Sequence, residues 1–269
     1  MRRRVSFAGM ILVLALQGSM GEAKAYELAE VVNGATISGK VTFTGTVPAP
    51  KRFVVEKDPE VCGQERALIE VAARNGFLQG AVVVLEGVER GKPFPAGRYR
   101  GAPPGEGEFR YGGGEQLSLD VRAKTCNFGP FTGVLSPNEP VRFLNRDPMK
   151  HVLQTFSASG DKGRVLRTIH NRDMHPEMTI ERFFSTSKLK TSRVVRIACN
   201  RHDFMQNWFY VVETPYYAIS DQDGHFTIDQ IPPGNYELVV WHPALGLKRK
   251  AVQVTAGGNV EVSFGFAQE

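Results

Sequence analysis

The sequence predicts an all-β protein built as β-sandwich, and three observations predict it. Thr36 to Phe43 alternates in polarity, as does Gln116 to Arg122, which is the period of a strand with one buried face. Short apolar runs, Ala81 to Leu85, Val194 to Ala198 and Tyr236 to Trp241, are rich in β-formers and bounded by Gly, Pro or Asn. Helical character is confined to one weak stretch between Glu60 and Arg74. Short strands spaced by turn signals indicate an antiparallel sandwich. Gly91 to Gly114, rich in Gly and Pro, reads as a linker or long loop.

The first residues set an expectation for the compartment. Arg2, Arg3 and Arg4 precede a mostly apolar run, Val5 to Leu16, and Ala23-Lys24-Ala25 is a small-x-small cleavage site. This is the pattern of a secretory signal peptide over residues 1–25, with a mature chain starting at Tyr26 and a periplasmic or secreted location. No Cys stands at the cleavage site, which argues against a lipoprotein. No second long apolar stretch follows, so no integral membrane segment is expected after signal removal. The formal charge is +5, and removing residues 1–25 takes away four basic side chains and one acidic one, leaving +2. That balance, with no basic run interleaved with aromatics, excludes a nucleic-acid binder.

Three cysteines in an exported chain leave one over if two form a bridge. Cys199 lies among His and Met residues, whereas Cys62 and Cys126 do not. Cys199 is therefore assigned to chemistry, with a Cys62–Cys126 disulfide expected and two unrelated buried thiols as the alternative.

Cys199-Asn200-Arg201-His202-Asp203-Phe204-Met205 follows one strand and precedes another, Trp208 to Val212. A turn this short brings thiolate, imidazole and thioether together at one end of a sandwich. Thiolate and thioether are soft ligands and imidazole is borderline, a set that suits copper passing between two oxidation states. The second imidazole must come from another strand. His151 is the candidate, because it follows the strand and turn Val141 to Lys150.

Here the chain resembles the cupredoxins. That family's Asn-x-acidic turn before the first His is matched by Asn145-Arg146-Asp147 before His151, and its Cys-x-x-His-x-x-Met by Cys199, His202 and Met205. Phe128-Gly129-Pro130 is similar to the family's early strand pair. The resemblance covers about a hundred residues. It implies a Greek-key sandwich over 107–213 and one type 1 copper ion bound by His151, Cys199, His202 and Met205. Two positions depart from the family: Val152 stands where Asn usually follows the first His, and Asp203 where Pro often follows the second. The spacer from Ser157 to Ser192 is also longer than in compact members.

The two ends of the chain carry a second resemblance. Asp221 to Ile228 and Ile231 to Leu238 are strands entered through tight turns, and Gly39-Lys40-Val41 and Gly80-Ala81-Val82-Val83 stand far upstream. Together they resemble the carboxypeptidase regulatory-like (transthyretin-like) sandwich. That implies one such sandwich built from residues 35–100 and 215–267, with the copper domain inserted; a simple tandem is the alternative. Asp221 and Asp223 lack the further spaced ligands of a calcium loop and read as a hairpin turn.

The expected function is a carrier of single electrons, not an enzyme, working with a redox partner such as a cytochrome or a periplasmic dehydrogenase. Resemblance implies His202 as the exposed ligand and electron exit, with Met149, Phe204 and Trp208 as contact patch and Arg201 and Asp203 adding polarity. Two rivals stand beside it: a non-redox envelope binding or scaffold protein, and a copper carrier. His170, Met174, His175 and Met178 lie together in the spacer as a candidate second copper site, against a solvated loop. His225 is expected to be exposed and His242 packed. The chain has no His-x-His pairs for a trinuclear cluster, no haem-attachment motif, no Walker loop and no Rossmann fingerprint.

Overall fold

The computed structural model describes residues 26–94, 97–100, 108–111, 119–129, 131–137, 139–160 and 164–268, and their regular structure is almost all β, with two single helical turns. The expected signal peptide lies outside the described residues. So does half of the expected linker, in which Gly97–Arg100 and Glu108–Tyr111 pair antiparallel.

One sandwich is made from the two ends of the chain. Its first sheet places Val82–Glu86 between Tyr217–Ile219 and Gly234–His242, with Gly246–Val254 at the edge. Its second is built on Ala35–Thr44, which pairs with His225–Ile231, Phe77–Gln79, Asn259–Glu261 and Phe264–Ala267. Alternate side chains of Ala35–Thr44 are buried, as the polarity pattern requires, and Ile37, Val41 and Phe43 join Leu85, Leu238 and Val240 in one core. Gly39 is forced by a neighbouring backbone, since a Cβ there would stand 1.9 Å from Val262 O. The turn before His225 is an Asx turn: Asp221 Oδ1 accepts from the backbone N–H of Asp223 and of His225. Gly224 has φ +72, and a Cβ would meet Val41 O at 2.4 Å.

The other sandwich stacks a three-stranded sheet against a five-stranded one. The first holds Leu119–Ala123, Pro140–Asn145 and Thr179–Phe183. The second runs Thr132–Leu135, Gln206–Val211, Val194–Cys199, His151–Ala158, Val165–Met174. Its core gathers Phe128, Phe143, Leu153, Phe184, Ile197 and Phe209. The sheets are not purely antiparallel. Leu119–Ala123 runs parallel to Pro140–Asn145, and Thr132–Leu135 parallel to Gln206–Val211. Between the first pair the chain crosses to the opposite sheet through Thr132–Leu135, so it returns in its original direction.

A third apolar cluster joins the two sandwiches. Val82, Val84 and Trp241 of one meet Phe131, Val134, Trp208 and Tyr210 of the other. Tyr210 and Trp241 lie 5.6 Å apart between ring centroids, and Trp241 Nε1 donates to Gly160 O.

The stretch from Glu60 to Arg74 is not a helix. One helical turn, Pro59–Cys62, ends at Gly63, whose φ of 83 suits glycine, and Glu65–Leu68 then pairs antiparallel with Lys51–Val54. The result is an arm that leaves the first sandwich and packs on the second. Val55 and Cys62 are buried in the second sandwich's core, with Phe53 and Val61 against it. The Cys62–Cys126 disulfide fixes the arm there and leaves Cys199 as the free cysteine, so the expected pairing is present. Closing a loop of 64 residues restricts the unfolded chain by about 4 kcal/mol on a chain-entropy account.

His242 is 1% exposed, and its Nδ1 accepts from the Ala244 N–H. Burial lowers its pKa to about 3. An unfolded histidine takes its proton near pH 6.5, so this side chain costs stability as pH falls from about 6.5 towards 3. His242→Gln should flatten the loss of the urea midpoint between pH 7 and pH 4. Equal slopes in the two proteins would rule out this contribution.

Candidate metal centre

Two adjacent strands end at the same edge of the five-stranded sheet. His151 opens His151–Ala158 and Cys199 closes Val194–Cys199, with Leu153 facing Cys199 across the pair. The turn before His151 is set by Asn145. Its Nδ2 donates to the carbonyls of Met149 and Met174, and its Oδ1 accepts from the Asp147 N–H. This brings the buried Asp147 carboxylate beneath the ring, with Oδ2 2.8 Å from His151 Nε2, and the same oxygen accepts from the Cys126 N–H at 2.9 Å.

The loop after Cys199 is closed by its own backbone. Met205 N donates to His202 O, and Cys199 N donates to Met205 O, both at 3.0 Å. Asn200 N donates to Val152 O at 2.9 Å, and Val152 N approaches Cys199 Sγ at 3.5 Å. The tie between the ligand loops is therefore main-chain. A valine can stand at 152 because only its amide and carbonyl are used.

His202 meets Cys199 beside His151, the two ring centroids 5.3 Å apart. Its Nδ1 is 3.6 Å from Cys199 Sγ, and His151 Nδ1 is 3.7 Å from the same sulfur. The outer nitrogen of His202 faces a second carboxylate, with Nε2 3.1 Å from Asp58 Oδ2. The donor atoms of His151, Cys199 and His202 all lie within 4.8 Å of one another. Met205 is fully buried in the same apolar cluster as Cys199.

These donors fit a metal ion. Each imidazole has one nitrogen on a carboxylate and the other turned to the thiol, the outer arrangement that orients metal-binding histidines. First-row metal bonds of about 2.3 Å to sulfur and 2.0 Å to nitrogen, opened to a trigonal angle, hold those two atoms roughly 3.7 Å apart. The distances found here match that span.

The electrostatics favour thiolate. Burial opposes its charge, but contacts from His151 and His202, with the backbone N–H groups of Val152 and Arg201, bring the Cys199 pKa down to about 6. Burial likewise disfavours the His151 cation, yet the Asp147 hydrogen bond and the neighbouring Cys199 raise its pKa to about 9. Asp147 stays below the usual carboxylate range: burial works against it, and the His151 and Cys126 hydrogen bonds outweigh burial.

Three readings of the site fail. His202 is 2% exposed and is no surface edge, because the arm covers it: Cys62 Sγ lies 3.8 Å from Nε2 and Asp58 caps the same nitrogen. The expected contact patch is not a surface either. Phe204 is buried near His202, Met149 is half-buried, and Trp208 belongs to the cluster between the sandwiches. The four residues of the candidate second copper site do not converge. Met174 pairs with His151 and is fully buried, and His170 pairs with Thr155, four residues along the strand and thus about 13 Å away. His170 bonds Thr155 Oγ1 instead and lies near Lys188 Nζ; His175 and Met178 are exposed.

Sequence reasoning missed Asp58 and the cover it belongs to. Asp58 reads as the N-cap of a Pro-started turn, yet its side chain makes no cap bond. That idle cap is visible only in three dimensions.

Comparison with known proteins gives fragmentary likeness. A family model described as polysaccharide lyase family 4, domain II, matches residues 191–262, a stretch that runs from the sheet carrying Cys199 into the other sandwich. Among curated proteins none matches. Solved structures similar to part of the chain include a methionine-to-alanine variant of amicyanin in its Cu(I) form, at 16% identity over 35% of this chain and 82% of that one, with a TM-score of 0.28. The purple cupredoxin from Nitrosopumilus maritimus is similar at 15% identity over 35% of this chain and 98% of that one, again at 0.28. A tryptophan-to-tyrosine variant of reduced amicyanin is similar at 14% identity, over 48% of this chain and 98% of that one, also at 0.28. Scores this low add nothing to the geometry, and the case for a metal lies in the donors themselves.

The lowered thiol pKa is directly measurable. In the metal-free full chain, thiolate ultraviolet absorbance should appear with a midpoint near pH 6, against about 8.5 for an ordinary cysteine. His151→Ala should move the midpoint upwards. A midpoint unchanged by that substitution would show that the imidazole does not hold the thiolate.

Proposed function

We propose that this chain is a type 1 copper protein that carries single electrons outside the cytoplasm, with His151, Cys199 and His202 as equatorial ligands and Met205 as a weak axial one. The observation that carries the reading is the buried triad itself: two Nδ1 atoms at 3.6 and 3.7 Å from one thiolate, each ring held from behind by a carboxylate. Copper supplies a one-electron change of oxidation state at such a site.

The protein's part is to keep the ligands still. Asp147 and Asp58 hold the outer nitrogens, so neither imidazole turns when charge at the sulfur changes. Burial excludes water from the ligand atoms. Soft thiolate with thioether disfavours hard cations, and a structural zinc site would use four N or S ligands with no thioether among them. Ligation displaces any proton held on Cys199 or on His151 Nδ1, so binding weakens as pH falls.

The disulfide supports an oxidising compartment, in keeping with the signal-peptide reading and a periplasmic or secreted location. No helix among the described residues is long and apolar enough to cross a membrane. The partner on this reading is another redox protein, such as a cytochrome or a periplasmic dehydrogenase, and the chain is a carrier rather than an enzyme. The sandwich formed from the chain's ends fits a carboxypeptidase regulatory-like unit with the copper domain inserted, on the turn motifs at 221–238 and the pairing of strands from 35–86 with strands from 217–267.

Copper loading followed by ascorbate tests this. The loaded chain should absorb intensely in the visible and bleach on reduction while retaining the ion. Cys199→Ser should abolish the colour even where copper still binds. Met205→Gln should stay coloured with a lower reduction potential, because a harder oxygen donor favours the oxidised ion. A colourless loaded wild type would favour a non-redox binding protein, and ready loss of copper to a chelator would favour a metal carrier.

A further inference from the structure

We infer that Asp58, reaching in from the arm, is a positioning residue for His202: it accepts a hydrogen bond from Nε2–H and so presents the Nδ1 lone pair to the thiolate side. The assignment goes one step beyond the copper reading and rests on it only for the identity of the ion.

Four observations support it. Asp58 Oδ2 stands 3.1 Å from His202 Nε2, and a carboxylate at that place can only accept. The carboxylate is itself aimed, because the same oxygen accepts from Arg201 NH2 at 2.7 Å, and Arg201 is the residue next to the ligand. Its backbone is anchored as well: Asp58 sits at φ 57, and its carbonyl accepts from the N–H groups of Val61 and Cys62. The helical turn gives the side chain no other use, since Asp58 makes no cap bond.

The arm that carries Asp58 is seated on the ligand loop. Phe53 meets Phe204 edge-on at 6.2 Å, and the Arg66 guanidinium lies over the same ring at 5.7 Å. Cys62 is bonded to Cys126, whose N–H donates to Asp147 Oδ2 behind His151. One segment, from Lys51 to Leu68, therefore reaches both imidazoles: His202 directly through Asp58, and His151 through the disulfide and Asp147. The first sandwich contributes this segment. Its role is then to complete the outer layer of the other sandwich's metal centre.

The test separates positioning from mere packing by reading the ring itself. In the metal-free full chain, nitrogen NMR should find neutral His202 as the Nε2–H tautomer. Asp58→Ala should mix the tautomers and weaken cuprous-ion affinity, measured by competition with a chelator, by 10- to 100-fold. Asp58→Asn, whose amide oxygen still accepts, should retain the tautomer and most of the affinity. Glu60→Ala, on the exposed side of the same turn, should change neither. A wild-type Nδ1–H tautomer overturns the inference without any variant, and so does an Asp58→Ala ring that stays Nε2–H. A wild type that binds no copper while Asp58→Ala still shifts the tautomer would sink the copper reading and leave the positioning role standing.

Discussion

A buried charge needs partners, and the Cys199 thiolate is the charge around which this site is organised. At 2% exposure it has lost water, so its stability depends on what faces it. Two imidazoles and two backbone amides do so. Each imidazole has in turn an acceptor behind it, so the stabilisation passes outward from sulfur to ring to carboxylate. Asp147 is held by the Cys126 amide and Asp58 by Arg201, which ends each chain on a fixed group. Removing either carboxylate leaves a nitrogen of a buried imidazole without its acceptor, the costly case for a buried network.

The two sandwiches divide this labour unequally. The sandwich with the five-stranded sheet supplies His151, Cys199, His202 and Met205 from one sheet edge, where strand ends naturally converge. The other supplies cover. Its arm pairs strand with strand only within itself among the described residues, and its apolar side chains join the neighbour's core rather than its own. The cluster around Trp208 and Trp241 fixes the two bodies against each other, so the arm approaches from a set direction.

The thiol and one imidazole were legible because Cys199 and His202 lie within four residues, and a span that short converges whatever surrounds it. The regular strands were legible for a similar reason: the alternation of Ala35–Thr44 states which face is buried before any partner is known. Parallel pairing was not, because direction depends on where the chain has been in between. The stretch from Glu60 to Arg74 misled because Pro59 starts a helical turn that Gly63 stops after four residues. His202 was misplaced at the surface because its cover comes from Asp58, 144 residues away. No local pattern encodes a contact of that separation. The signal that does exist is indirect: an aspartate before a Pro-started turn that also contains a cysteine.

The enclosure has a consequence for traffic. His151 and Met205 are at 0% exposure and Cys199 and His202 at 2%, so no static path admits an ion to them. Entry and exit both require the arm or the Cys199–Met205 loop to lift. The arm is bolted by a covalent bond and the loop is stitched by its own amides. An ion held there is therefore trapped by a barrier as well as by affinity. Its residence time is set by how often this shell breathes, and a reductant strong enough to cut the bolt would shorten it.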